Sequence, residues 1–145
     1  MIIVAGVDDS EHGETAARRA IVFARRNDAE LHLVHVLHLP ASLLTALANV
    51  PAPVEEYSTA QRRAVWDRIG PIADTWPEGT VHRVDLEGYP PDTLTRYAEE
   101  VGADLIVVGS RGRGDLAALF LGSTSHRILH LATCDVLIAR SEDET

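Results

Sequence analysis

The chain contains no lysine. All thirteen basic residues among its 145 are arginine, set against 22 acidic residues for a formal net charge of −9. The absence excludes a Walker A lysine, a Schiff-base lysine and a lysine general base. The acidic balance disfavours a nonspecific grip on nucleic acid or on an anionic membrane, since both need clustered positive charge. A salt-adapted or a GC-biased source would each give such a composition. One cysteine, Cys134, rules out an intrachain disulfide and fits a reducing compartment. Long hydrophobic runs are missing too: none approaches the roughly 18 to 20 residues of a membrane span. The opening MIIVAGVDDS lacks a basic leader and turns acidic early, so it reads as a buried strand, and a cytoplasmic location is expected.

What is present suits a single domain, 1–145, with a sizeable core: 46% of residues are hydrophobic. Five short stretches rich in Val, Ile and Leu read as buried parallel strands: 2–7, 31–36, 81–85, 104–109 and 135–139. Helical patterns lie between them. One runs from Glu11 to Asn27 with Ser10 as N-cap, and one from Val54 to Trp76, with a kink or break expected at Gly70-Pro71. Two more cover Pro91 to Val101 and Ser123 to Leu131. Such alternation predicts an α/β doubly wound domain, with a five-stranded parallel sheet of order 3-2-1-4-5 and helices on both faces. The stretch 38–53, with three prolines, is either an ordered flap or an unstructured loop, and the closing SEDET reads as a frayed tail.

In that strand order the binding crevice lies at the carboxyl ends of the first and fourth strands. The first ends near Asp8, and the fourth ends in Gly109 within GSRGRGDLAALFLGSTSHR. Gly109 and Gly112 lack a Cβ and would let a phosphate approach backbone N–H groups. Gly122, Ser123, Thr124 and Ser125 open the last helix, where free N–H groups, the positive dipole end and hydroxyls suit an anion. Arg111 or Arg113 would supply local positive charge. Glycines three apart after a strand describe any tight turn; the full spacing G-x2-G-x9-G-S in strand–loop–helix context is far more specific.

With these residues in view, nearly the whole chain resembles the universal stress protein family. GSRGRGDLAALFLGSTSHR resembles its nucleotide-binding motif and IIVAGVDDSEHGETAARRA its first strand and helix. EGYPPDTLTRYAEEVGADLIVVGSRGRG and SHRILHLATCDVLIAR resemble its third-helix, fourth-strand and closing signatures. The resemblance implies ATP binding; a bound ATP would bring Mg2+ or Mn2+ held mainly by its phosphates. Asp8 would contact the nucleoside and Val36 the adenine through its backbone. Val108, Gly109, Arg111 and Gly112 would line the nucleotide, and Gly122, Ser123, Thr124 and Ser125 the phosphates. It also implies a homodimer through the last strand, Asp135 to Ala139, which agrees with the exposed apolar edge that strand would otherwise present. Many relatives flank the cysteine before that strand with prolines, whereas here it stands as Thr133-Cys134-Asp135.

Rival readings are weaker. Asp8, Asp9 and Asp85 resemble a receiver domain's acidic set, but that chemistry needs a lysine. His32, His35 and His38 are spaced by three, but on an extended strand the first two point to opposite faces. His126, His130 and Cys134 align at helical spacing, yet lack a fourth ligand and meet the helix end. No residue is evident as a water-positioning base, so at most slow ATP hydrolysis is expected. The arginine pairs 18–19, 25–26 and 62–63 read as solvated helix faces, and Cys134 as packing. The expected function is a nucleotide-dependent regulatory or sensing module in stress response, with a protein partner that the sequence does not identify. The alternatives are a dimeric scaffold working without nucleotide, or a binder of AMP or cyclic AMP.

Overall fold

The structure, a computed structural model, describes residues 1–49, 51–110 and 121–141. Arg111, Gly112, Arg113, most of the spacer before Gly122 and the last four residues of the SEDET tail lie outside the described residues.

Five strands form one parallel sheet: β1 (Ile2–Gly6), β2 (Glu30–Leu37), β3 (Val81–Glu87), β4 (Leu105–Gly109) and β5 (Asp135–Ala139). Their order is β3-β2-β1-β4-β5, as the alternation of patterns predicts. The helices are α1 (Glu11–Asn27), α2 (Ala41–Ala46), α3 (Pro51–Ala73), α4 (Pro90–Val101) and α5 (Ser123–Leu131).

Strand periodicity sorts the core into two layers. Ile3, Ala5, Leu31, Leu33 and Val107 pack with α1 and α3, while Val4, Val34, Ile106 and Val108 pack with α4 and α5. Helix α1 sets Ala16, Ala17, Ala20 and Ala24 into the first layer, all fully buried. Small side chains there let the helix lie close to the sheet. Ser10 caps it, its side chain accepting from the Gly13 N–H, and Asp28 ends it in the left-handed region at φ 48°.

One local expectation is narrowed and one changes. The stretch 38–53 contains α2, a short helix with no buried residue, so that part of it is ordered rather than an unstructured loop. Helix α3 continues through Pro71 instead of breaking there. Pro71 is exposed and only two residues from the helix end, so the hydrogen bond it forfeits lies in a last turn already facing water. Buried Ile69 and Ile72 flank it and hold that turn on the sheet.

Candidate functional site

A cavity of about 470 Å3 opens at the carboxyl ends of β1, β2 and β4, where the strand order reverses. Its volume lies in the range of small-molecule sites. Asp8, Val36, Val108, Gly109, Ser123, Thr124 and Ser125 all line it. Gly122 is buried beside them as the N-cap of α5. Arg111 and Gly112 lie outside the described residues.

Each wall has a physical reason for its position. Asp8 follows β1, and its Oδ1 accepts from both the backbone N–H and the hydroxyl of Ser10, which fixes the carboxylate. Gly13 leaves it the room to sit there: a Cβ at that position would come within 2.3 Å of Asp8 Oδ1 and 2.6 Å of the Asp8 backbone N and O. Arg68 of α3 closes the same loop from outside, donating to the Asp9 carbonyl and to Glu14, both at 2.9 Å. On the other wall, Gly109 abuts α1, and a Cβ there would stand 2.7 Å from the His12 carbonyl oxygen. A side chain at either glycine would therefore force backbone apart.

The start of α5 is tied to the end of β4. Ser125 Oγ donates to the Gly109 carbonyl at 2.6 Å, and the Gly122 N–H donates to the Ser110 carbonyl at 2.8 Å. No side chain caps α5, and its first intrahelical bond is from the His126 N–H to Gly122. The N–H groups of Ser123, Thr124 and Ser125 thus begin a helix with its positive dipole end at the cavity. Chemically, the site offers a fixed carboxylate at one side and an anion-stabilising helix start at the other. Val34, Val36, Leu94 and Ile128 supply apolar surface between them.

Other cavity residues escaped the motif. His38 and Pro40 come from the irregular stretch, and Tyr57 and Gln61 from one face of α3 at i, i+4 spacing. Tyr57 lines the cavity and is exposed. The Tyr57–Gln61 spacing was a signal for a shared face, but only the fold turns that face to the cleft.

Of the remaining singled-out groups, Asp9 and His35 also line the cavity, and the others lie elsewhere. Asp85 accepts from Trp66 Nε1 at 2.9 Å and sits 3.1 Å from His35 Nδ1. It is thus engaged as a structural partner. His32 and His35 point into opposite layers, as an extended strand requires: His32 meets Tyr97 of α4, and His35 meets the Asp85–Trp66 pair. His126 and His130 align on α5, their Nε2 atoms 3.2 Å apart, with Cys134 beyond the helix end. Burial, followed by the charge of Asp135, raises the Cys134 thiol pKa above 9.0. Of the arginine pairs, Arg62 is half-buried and bonded to Glu87 at 2.7 Å, and the other five are exposed. Among the described residues no helix is long and apolar enough to cross a membrane.

A family model described as the universal stress protein family matches residues 1–140. Universal stress protein YxiE of Bacillus subtilis is 31% identical, the alignment covering 95% of this chain and 97% of that protein. Universal stress protein UspA from Lactobacillus plantarum shares the fold at a TM-score of 0.85, with 24% identity and 97% of each chain covered. A universal stress protein crystallised in complex with cAMP is 27% identical, with a TM-score of 0.66 over 96% of this chain and 95% of that one.

Proposed function

This chain belongs to the universal stress protein family, and from that premise we propose that it is an ATP-binding regulatory module. One observation carries the reading. Asp8 after β1, Gly109 at the end of β4 and the uncapped first turn of α5 converge on a single cavity of suitable size. Asp8 accepts hydrogen bonds from ribose hydroxyls, while Ser123, Thr124 and Ser125 donate backbone N–H groups to the phosphates. Val36 meets the base through its backbone, and Val108 lies along the nucleoside. Arg111 and Gly112 complete the phosphate loop in this reading, the arginine supplying the cation that a lysine would otherwise provide. A divalent cation, Mg2+ or Mn2+, is held mainly by the phosphates, whose charge it offsets.

A second reading is cyclic AMP as the ligand, favoured by the cAMP complex of a relative 27% identical to this chain. Calorimetry of nucleotide-free protein with ATP, ADP, AMP and cyclic AMP separates the two, after any nucleotide released on denaturation has been identified by mass spectrometry. ATP as the tightest ligand supports the first reading, and preference for cyclic AMP supports the second. If no adenine nucleotide binds, both are wrong.

The nucleotide-linked surface is β5. It is an edge strand whose Val136, Leu137 and Ile138 are only half-buried, so a second copy pairing there would cover apolar surface and an open edge. The homodimer through Asp135 to Ala139 is thus part of the proposal, with Ser110 N–H bonded to the Ala139 carbonyl linking cavity to edge. Sedimentation with and without nucleotide tests it. A protein that sediments as a monomer at tens of micromolar in both states removes the dimer from this reading.

A further inference from the structure

We propose that Glu30, His32 and His82 form a binding site for a zinc-class divalent cation, at the end of the sheet opposite the cleft. His32 and His82 are register partners across the parallel β2–β3 pair, and Glu30 precedes His32 by two residues, so all three share one face. Their ligand atoms lie within 4.8 Å of one another. Glu30 Oε1 is 3.1 Å from His32 Nε2 and 2.8 Å from His82 Nε2. A tetrahedral zinc ion with bonds of about 2.0–2.1 Å needs ligand atoms roughly 3.3 Å apart, so small side-chain rotations suffice. Among the described residues this is the one three-ligand cluster of its kind.

The surroundings are those of a supported site. His32 is buried, at 8% exposure, and its Nδ1 lies 2.7 Å from the Tyr97 hydroxyl of α4. A second partner on the far ring nitrogen is what orients a metal-binding imidazole. Without metal, the carboxylate can only accept, so each Nε2 carries its proton toward Glu30 and His32 Nδ1 accepts from Tyr97. On binding, both Nε2 atoms give their lone pairs to the cation and the proton of each neutral imidazole moves to its Nδ1; in His32 that Nδ1–H donates to the Tyr97 oxygen, and in half-exposed His82 it faces solvent. His82 is half-exposed, which leaves an entry path and an open coordination position. Two imidazoles with one carboxylate select zinc-like ions over Mg2+ or Ca2+, which prefer all-oxygen shells. The bound ion clips the edge strand β3 to β2, and through His32 to Tyr97 on α4.

The test is titration of metal- and nucleotide-free protein with zinc chloride, followed by calorimetry and by thermal unfolding. One ion per chain is expected, with a raised unfolding midpoint and unchanged nucleotide affinity. His82→Ala and Glu30→Gln, both at partly exposed positions, should each weaken binding at least about tenfold, and Tyr97→Phe by about 10- to 100-fold. His130→Ala, which disrupts the histidine pair on α5, should change nothing. The proposal fails if zinc does not bind saturably below millimolar concentration. It also fails if His82→Ala and Glu30→Gln retain full affinity, or if binding is lost in His130→Ala instead.

Discussion

Ser125 Oγ donates to the carbonyl oxygen of Gly109 at 2.6 Å, across sixteen residues of sequence and within a buried environment. This bond fixes the first turn of α5 against the end of β4, and so sets the distance between the two glycine positions of the motif. The hydroxyl at Ser125 is therefore occupied by the scaffold. What it leaves for a ligand at this residue is the backbone N–H, while Ser123 and Thr124 keep their hydroxyls for the cavity.

Ser125→Ala tests that division of labour. Removing the hydroxyl leaves a buried carbonyl without its partner, at a cost of about 1–3 kcal/mol. Urea denaturation should show that loss, and calorimetry should show weaker ATP binding as the helix start loosens from β4. Ser123→Ala, at an exposed position, should leave stability unchanged and affect only affinity. Equal stability loss in both variants would contradict the assignment.

Gly13→Ala makes a prediction of unexpected sign. In a helix interior, alanine is favoured over glycine by about 1 kcal/mol. Here the added methyl meets the Asp8 backbone N and O at 2.6 Å, atoms that no side-chain rotation can clear. The net effect should be destabilising by about 1–3 kcal/mol, with nucleotide affinity reduced because Asp8 must move. A stabilised variant with full affinity would mean that the Asp8 loop yields freely.

How much of this was readable beforehand depends on the range of the physics involved. Helix α1 was legible to its end residues, because an N-cap serine, an alanine-rich face and the residues that stop it are all local. The strand order followed from alternation and handedness. Helix α2 was hidden because its stretch is flanked by prolines and buries nothing, so no periodicity announces it. Pro71 misled because its cost depends on how near the helix end falls, which is a tertiary matter. In the site, Asp8, Gly109 and Ser123 to Ser125 follow from strand ends and a helix start. Arg68 does not: its role is to hold the Asp9 carbonyl across 59 residues. Gly13 was likewise invisible, since its reason is a contact with Asp8 rather than a turn. Glu30, His32 and His82 needed strand register, which pairs residues 50 apart and cannot be counted along one strand.

Acid should weaken the fold partly through Glu14. Its carboxylate is held below the ordinary value of 4.5, first by its hydrogen bond to Arg18, against the opposing effect of burial, and then by Arg68. A lowered folded pKa means that this stability is fully present above about pH 4.5 and is lost as pH falls through the folded value. Glu14→Gln should cost about 1 kcal/mol or less at pH 7, because both arginines are partly solvated. Denaturation of the two proteins at pH 7 and pH 3 decides the matter: the difference between them should shrink in acid. A constant difference would mean the glutamate acts by packing rather than by charge.

Cys134 should be a slow nucleophile in the native protein. It precedes β5 and packs among Ile106, Val136 and neighbouring apolar groups in the α4–α5 layer. Burial is the main cause that raises its thiol pKa above 9.0, and the Asp135 carboxylate adds to it by disfavouring a second negative charge. Alkylation proceeds through the thiolate, so both effects reduce the reactive fraction near neutral pH. Iodoacetamide at pH 8, followed by intact mass, should label the native chain several-fold more slowly than glutathione, and denaturant should restore the ordinary rate. Asp135→Asn should speed native labelling only modestly, since it removes the smaller of the two causes and leaves the thiol half-buried. If the native thiol reacts as fast as the denatured one, Cys134 is not held by the core. The end of α5 would then be open to solvent, and the packing assigned to the approach to β5 would be wrong.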